Sequence, residues 1–114
     1  MIAGIGIDIV SISRFERLIE RYGNRVLEKV FTDSERCEGD RKAGRPAYYA
    51  VRFAAREAFY KALGTGWGRG LPLKEVSVAS DEAGRPSLVI GERMRTELEK
   101  RGIARHHVLS LIHI

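Results

Sequence analysis

The 114-residue sequence predicts a single domain of the α+β class. Three observations support this prediction: an early segment alternates bulky and small residues, a long segment has helical spacing, and a two-strand pattern with a turn follows it. A chain of this length can bury a core without disulfides, since folding removes roughly 65% of its unfolded surface from water. Cys37 is the one cysteine, which excludes an intrachain disulfide and a zinc site built from several cysteines.

The first third of the chain predicts one strand and two short helices. Residues 2–10 alternate as a strand does, and Asp8 lies on the face that carries the glycines. The segment 13–16 fits a capping box at the start of a helix that ends at Gly23. The segment 32–35 fits a second capping box, followed by a short polar helix.

The longest predicted element is a helix that begins at Pro46 and ends at Gly64, since proline suits a first helical turn and glycine a C-terminal cap. One stripe of this helix carries small side chains, which allow another element to pack closely against it. The residues of the stripe are Ala47, Ala50, Val51, Ala54, Ala58 and Ala62.

The rest of the chain predicts a hairpin, a helix and a last strand. Residues 75–80 and 87–90 are typical of strands, and residues 81–86 form the turn between them. A helix over about residues 92–101 ends at a glycine, and residues 107–114 resemble a strand. The predicted order is therefore one strand, three helices, a hairpin, a helix and a strand.

The charge balance is basic, with 20 Lys and Arg against 15 Asp and Glu and a formal net charge of +5. This excess of positive charge favours an acidic partner, but it does not indicate whether that partner is nucleic acid, a phosphorylated metabolite or an acidic protein. No apolar run approaches the roughly 20 residues that span a bilayer, and the first residues lack the basic start of a signal peptide. We therefore expect a cytoplasmic protein without membrane association.

Asp8 is the first candidate for chemistry. Its carboxylate lies within a run of isoleucines, where it loses hydration and requires a cation or hydrogen-bond donors in return. One interpretation is a metal ligand. The other is an aspartate at a strand end that bonds to local backbone or to an arginine. The spacing alone leaves both open.

Glu57 and Lys61 are the second candidate, because a separation of four residues places both side chains on one face of the predicted long helix. The same spacing is that of a surface ion pair worth about 0.2–0.5 kcal/mol. A catalytic interpretation gains support from the glycine-dense residues 64–70, whose backbone could approach phosphates. This loop is neither a P-loop nor a dinucleotide-binding fingerprint, since it follows a helix instead of opening one.

The third candidate is a row of arginines, Arg14, Arg17 and Arg21, on the side of the first helix opposite its apolar residues. One interpretation is a solvated helix face. The other is a docking face for an acidic helix, held by charge-assisted contacts.

Two segments carry a resemblance to a known family. Residues 4–10 with the Ser-Arg pair after them, and residues 52–66, together resemble the bacterial holo-acyl-carrier-protein synthases of the 4′-phosphopantetheinyl transferase superfamily. The sequence departs at Arg56, where family enzymes usually carry Lys, and over residues 109–114, beyond which family members have another apolar strand. We expect a single domain over residues 1–114 with an incomplete C-terminal strand.

The resemblance implies a fold, a reaction and a metal. The fold is a small mixed sheet packed against a long central helix. The reaction moves the 4′-phosphopantetheine arm of coenzyme A to a serine of an acyl carrier protein, releases 3′,5′-ADP, requires Mg²⁺ and supports fatty acid biosynthesis. Family enzymes form homotrimers with active sites between adjacent subunits.

The resemblance also implies roles for the candidate residues. Asp8 and Glu57 match the Mg²⁺ ligands, Glu57 would help to remove the serine proton, and Lys61 would stabilise the departing phosphate. The residues that match coenzyme A contacts are Arg45, Arg52, Lys61, Gly64, Thr65, Gly66 and His107. The residues that match the carrier-protein contact are Arg14, Arg17 and Arg21.

Two other functions stay open at the level of the sequence. The first is an inactive subunit that docks a carrier protein, which would need the arginine row but not Asp8, Glu57 and Lys61 together. The second is a small basic module that binds nucleic acid, which predicts a steep dependence of binding on salt. The chain lacks the alternation of aromatic and basic residues that single-strand binding uses.

Overall fold

Residues 11–64 and 72–103 are described by a computed structural model, and within them five helices and one hairpin follow each other along the chain. The helices are α1 (Ile12–Tyr22), α2 (Asn24–Val30), α3 (Asp33–Gly39), α4 (Arg45–Leu63) and α5 (Glu92–Lys100). The strands are β1 (Val76–Ser80) and β2 (Pro86–Ile90), and a 3-10 turn, Leu73–Glu75, precedes β1.

Helix α1 begins earlier than the sequence indicates. Ser11 is its N-cap, and the Ser11 Oγ accepts a hydrogen bond from the Arg14 N–H at 3.4 Å. The predicted capping box at residues 13–16 is therefore wrong, because Ser13 already lies inside the helix and its Oγ bonds to that of Ser11 at 3.1 Å. The predicted end at Gly23 is confirmed, with φ at +61°.

Helix α2 was not predicted, so the expected count of three helices before the hairpin is wrong. Its N-cap, Gly23, also caps the C-terminus of α1 and offers no side-chain hydrogen bond. Only Leu27 and Val30 are buried along its seven residues, which is too little apolar periodicity to announce a helix.

Helices α3 and α4 confirm the predictions for this region. The Thr32 Oγ1 accepts from the Glu35 N–H at 3.2 Å, and the Thr32 N–H donates to the Glu35 Oε1 at 3.0 Å, which completes the capping box of α3. Helix α4 has Pro46 in its first turn and ends at Gly64, whose φ of +74° is the left-handed conformation that glycine adopts without a steric penalty.

The hairpin is antiparallel, with Val76 opposite Ile90 and Ser80 opposite Pro86. The Glu75 carboxylate joins it to α5, because its Oε1 accepts from the Met94 N–H in the first turn of that helix at 3.0 Å. Helix α5 follows the hairpin as predicted. In the described part of the chain, no helix has the length and hydropathy needed to cross a bilayer.

Two core clusters lie at the two ends of α4. The first packs α1, α2 and the start of α4, and its buried members are Phe15, Leu27, Val30, Phe31, Tyr48, Tyr49 and Ala50. The second packs the end of α4 against the hairpin and α5, and its buried members are Tyr60, Val76, Ile90, Met94 and Leu98. The elements confirm the α+β class, while the strands predicted at residues 2–10 and 107–114 lie outside the described residues.

Candidate active site on helix α4

Glu57 and Lys61 lie on one row in the C-terminal half of α4, as their spacing predicts. Glu57 is half-buried and Lys61 is exposed. The helix continues for less than one turn beyond Lys61 before Gly64 ends it. The Glu57 carboxylate and the Lys61 ammonium group therefore lie on the same side of α4, near its C-terminal end.

A different face of α4 carries three arginines that pair with acidic residues at or next to α3. At 100° per residue, this face lies about 100–140° around the helix axis from Glu57. We call the three pairs the α3–α4 ladder; its rungs are Arg56 with Glu35, Arg52 with Glu38, and Arg45 with Asp40. The ladder runs from a fully buried pair at Arg56 to a partly exposed pair at Arg45.

The Arg56 rung is the inner one, with relative exposures of 0% for the Arg56 side chain and 3% for that of Glu35. Both terminal nitrogens of Arg56 donate to the Glu35 carboxylate, with the Nη1 at 3.0 Å from the Oε2. The Arg56 Nε donates to the Leu73 carbonyl oxygen at 3.1 Å, and the guanidinium lies 4.8 Å from the centre of the Phe31 ring. The Arg56 Nε and both of its terminal nitrogens therefore have hydrogen-bond acceptors in the buried interior.

The Arg52 rung combines a loose ion pair with aromatic stacking. The Arg52 Nη2 is 3.7 Å from the Glu38 Oε1, and the guanidinium carbon is 3.6 Å from the centre of the Tyr48 ring. Burial is the main cause that raises the pKa of Tyr48 to about 12. Tyr48 therefore stays neutral under the stacked cation at physiological pH.

The Arg45 rung includes a tyrosine. The Arg45 Nε donates to the Asp40 Oδ1 at 2.9 Å, and the Tyr49 hydroxyl donates to the same oxygen at 2.8 Å. The Tyr49 hydrogen bond is the largest cause that lowers the pKa of Asp40, and the Arg45 charge adds to it. Burial, followed by the Asp40 carboxylate, raises the pKa of Tyr49 to about 12.

The candidate residues for carrier docking lie on a separate element. Arg14, Arg17 and Arg21 are all exposed on α1. The opposite side of α1 packs on α4, where the ring centres of Phe15 and Phe53 are 5.4 Å apart. The arginine row thus faces away from the core and is attached, through Phe15, to the helix that carries Glu57.

Apart from the arginine row on α1, the structure places the predicted site residues in two groups. Glu57 and Lys61 share a row, and Gly64 caps the same helix. Arg45 and Arg52 belong to the α3–α4 ladder, away from that row. The remaining candidates, Asp8, Thr65, Gly66 and His107, lie outside the described residues.

Sequence reasoning missed the acidic partners of the ladder. Glu35 was noticed only as part of a capping box, although its side chain also binds Arg56. Glu38 and Asp40 gave no separate signal. Charges of opposite sign on two consecutive predicted helices were the one available indication, and they do not specify which residues pair.

A magnesium site needs few protein ligands, since Mg²⁺ is typically held by one or two carboxylates together with phosphate oxygens and water. Residues 11–64 and 72–103 contain no group of three or more metal-ligating side chains. A half-buried carboxylate such as Glu57 fits the hard-cation preference for oxygen donors. The donor chemistry of the Glu57 row is therefore compatible with a metal ion completed by a second carboxylate and a substrate phosphate.

Comparisons with known proteins give consistent matches along the chain. The family profile described as the 4′-phosphopantetheinyl transferase superfamily matches residues 4–111. The chain is 43% identical over 113 residues to the holo-[acyl-carrier-protein] synthase of Syntrophus aciditrophicus, which covers 99% of this chain and 88% of that protein.

Solved structures show the same similarity. A holo-[acyl-carrier-protein] synthase from Neisseria meningitidis superposes with a TM-score of 0.86 at 37% identity, covering 92% of this chain and 84% of that one. The Helicobacter pylori holo-[acyl-carrier-protein] synthase in complex with coenzyme A superposes with a TM-score of 0.73 at 29% identity, covering 83% of this chain and 80% of that one.

Proposed function

Because the chain belongs to the 4′-phosphopantetheinyl transferase superfamily, we propose that it transfers the phosphopantetheine arm of coenzyme A to a serine of an apo acyl carrier protein. The family and the enzyme class predicted from the two motifs are confirmed. The observation that carries the proposal is the Glu57–Lys61 row at the end of α4, in a chain whose relative in Helicobacter pylori binds coenzyme A.

The reaction breaks the phosphoanhydride bond of coenzyme A and forms a phosphate ester bond to the serine. The serine oxygen of the carrier forms a bond to the phosphorus nearest the pantetheine, and the bond from that phosphorus to the bridging oxygen of 3′,5′-ADP breaks. Glu57, directly or through a water molecule, accepts the serine proton. The Lys61 ammonium stabilises the negative charge that develops on the departing phosphate.

We assign the Mg²⁺ ion to Asp8 and Glu57. The oxygen donors of two carboxylates suit this cation, as the fit at Glu57 indicates. When bound, the ion neutralises charge on the phosphates. Glu57 is half-buried on α4, so its carboxylate is accessible to a bound ion and to solvent.

We assign coenzyme A binding to residues from three parts of the chain: Arg45, Arg52, Lys61, Gly64, Thr65, Gly66 and His107. Arg45 and Arg52 already hold carboxylates in the ladder, so a phosphate must compete with Asp40 and Glu38 for their guanidinium groups. The Arg52 Nε has no hydrogen-bond partner among the described residues, which leaves this arginine with an unused donor.

The remaining assignments concern partners and setting. We propose that Arg14, Arg17 and Arg21 dock the acidic helix of the carrier protein, since all three are exposed on one helix. We also propose that the chain is one domain, assembles as a homotrimer and serves fatty acid biosynthesis in the cytoplasm. Membership of the family supports these assignments.

The test is mass spectrometry of an apo acyl carrier protein after incubation with the purified chain, coenzyme A and Mg²⁺. We expect the carrier to gain the mass of one phosphopantetheine arm, and we expect EDTA to prevent the gain. A carrier with alanine in place of its acceptor serine is the control. An unmodified carrier in the presence of a folded chain would contradict the proposal.

A further inference from the structure

We propose that Glu35 and Arg56 form a positioning pair that fixes the rotation of α4 and so directs Glu57 and Lys61 toward the substrate. This inference rests on the proposed function. The pair is the most deeply buried ionic contact in the described part of the chain, and the proposed chemistry uses neither residue.

The Glu35–Arg56 pair joins several elements of the fold. The Glu35 carboxylate accepts from Arg56 on α4, from Thr32 at the start of α3, and from the Val78 N–H of β1 at 3.2 Å. Arg56 in turn donates to the carbonyl of Leu73. Two side chains thus connect α3, α4, the 3-10 turn and the hairpin.

The Val78 hydrogen bond comes from the outer edge of β1. Val78 is opposite Leu88 in the hairpin, yet its N–H points to Glu35 instead of β2. In an antiparallel pair, such an N–H lies on the outer edge of the strand. The Glu35 carboxylate therefore accepts hydrogen bonds from the edge of β1 on one side and from Arg56 on the other. Because β1 fixes the carboxylate, it also fixes the position of the Arg56 guanidinium.

The pair lies next to the proposed catalytic residues along α4. Arg56 directly precedes Glu57, and Lys61 follows one turn later. A rotation of α4 by about 10° moves a group that is about 5–6 Å from the helix axis by about 1 Å. A misplacement of this size can lower the rate of an enzyme about 100-fold. Glu57 therefore depends on a fixed rotation of the helix.

Stability alone does not account for a buried ion pair. Removing two charges from water has a desolvation cost that can exceed the gain from pairing, and apolar replacements are often neutral or stabilising. What the guanidinium adds is direction, since its planar fork binds the Glu35 carboxylate in two places and leaves the Nε for Leu73.

The experiment compares two variants with the wild-type chain. The double variant Glu35→Gln/Arg56→Met removes both charges of the pair. Its single amide oxygen replaces only one of the two carboxylate oxygens, since the Thr32 N–H donates to the Oε1 and the Val78 N–H to the Oε2. Arg56→Lys keeps the charge but cannot form the fork. Leu98→Ala, in the core cluster beside α5, is the control for loss of stability alone. For each, kcat and the KM for coenzyme A are measured at a temperature where the protein is fully folded.

We expect kcat of the double variant to fall by roughly 10- to 100-fold, with little change in the KM for coenzyme A. Arg56→Lys should restore part of the loss, and Leu98→Ala should keep the wild-type kcat when folded. A merely structural role predicts instead that every folded variant keeps the wild-type kcat.

A second measurement separates this inference from the proposed function. Crystal structures of the wild type and the double variant, superposed on α1 and α2, should show the Glu57 carboxylate displaced by about 1 Å. If the wild type modifies no carrier, the proposed function fails and this displacement alone decides the inference. Either a double variant with wild-type kcat or an unmoved Glu57 carboxylate overturns it.

Discussion

The two charged faces of α4 differ in how deeply their side chains are held. On the ladder face, each arginine has an acidic partner at α3, and burial increases from Arg45 to Arg56. On the other face, Glu57 is half-buried and Lys61 is exposed at the end of the helix. The same helix thus has one face held against α3, where Arg45 and Arg52 are also proposed to bind coenzyme A, and one face that carries the proposed catalytic pair.

This difference shows that residue type and helix position do not by themselves indicate a role. Arg52, Arg56 and Glu57 belong to one sequence motif, yet the two arginines pack against α3 and the glutamate does not share their face. Changes at the buried Arg56 rung of the ladder should act first on folding free energy and helix geometry. Changes on the Glu57 face should act on turnover and leave stability nearly unaffected.

The largest effect is expected for Glu57→Gln. Turnover should fall by about 10²–10⁴-fold, because the variant lacks a base for the serine proton. Its free energy of unfolding should change by less than about 1 kcal/mol, since the side chain is half-buried. Carrier modification assays and urea unfolding measure the two quantities.

The control for this variant is Glu97→Gln on α5, which removes a carboxylate that pairs with Arg101 at 3.0 Å. It should keep full turnover. A folded Glu57→Gln chain with normal turnover would contradict the assignment of a catalytic role to the Glu57 face of α4.

The second largest effect is expected for Arg56→Met, and it is a loss of stability. The variant leaves the Glu35 carboxylate buried without its cation, which should lower the free energy of unfolding by about 3–5 kcal/mol. The matched control is Arg85→Met in the hairpin turn, where Arg85 pairs with Asp81 at 3.0 Å and its side chain is 81% exposed. This control should cost less than about 1 kcal/mol.

Equal losses in Arg56→Met and Arg85→Met would show that burial does not set the strength of the ladder. Chemical denaturation of both variants under identical conditions makes this comparison.

The third effect is expected for Gly39→Ala, which tests how closely α3 approaches α4. A Cβ at this position would lie 2.7 Å from atoms of the Tyr48 and Tyr49 rings, and packed rings of this kind cannot move without disturbing the core. We expect a loss of about 1–3 kcal/mol from overpacking. The matched control is Gly44→Ala, where a Cβ meets nothing within 4 Å.

Calorimetric melting of both glycine variants provides the measurement. If Gly39→Ala is as stable as Gly44→Ala, then α3 can shift on α4, and the ladder would not fix the distance between the two helices.

Elements with strong local signals were predictable from the sequence. Thr32 and Glu35 complete each other's hydrogen bonds within four residues, and Gly64 ends α4 through its own backbone freedom. Helix α2 has no such signal, because it starts from a glycine without a side-chain cap and is stabilised by packing of Leu27 and Val30. Whether such a short helix forms depends on tertiary packing, which a short stretch of sequence does not reveal.

The same distinction applies to the site. Glu57 and Lys61 were predictable as a row, since helical spacing alone places them together. The partners of Arg56 were not, because Glu35 is 21 residues away and Val78 lies on a different element. Pairing across such separations depends on how the helices and the hairpin pack, and one sequence contains no measure of it.

The smallest effect is expected for Asp40→Asn at the exposed end of the ladder. The Tyr49 hydroxyl and the Arg45 cation hold the pKa of Asp40 below its usual value, so its folded-state pKa lies below the unfolded value of about 3.9. The stabilisation is present above the unfolded pKa and is lost as pH falls through the folded pKa. Because the carboxylate is about half exposed, solvent screening limits it to less than about 1 kcal/mol.

Urea unfolding of the wild type and Asp40→Asn at neutral pH and at several values below about 4 tests this prediction. The wild type should be slightly more stable at neutral pH, and the difference should vanish at the lowest pH because both side chains are then uncharged. The control is Asp33→Asn in the first turn of α3, a position where no ladder contact is lost. A difference between wild type and Asp40→Asn that stays the same down to the lowest pH would show that the Asp40 charge does not stabilise this end of the ladder.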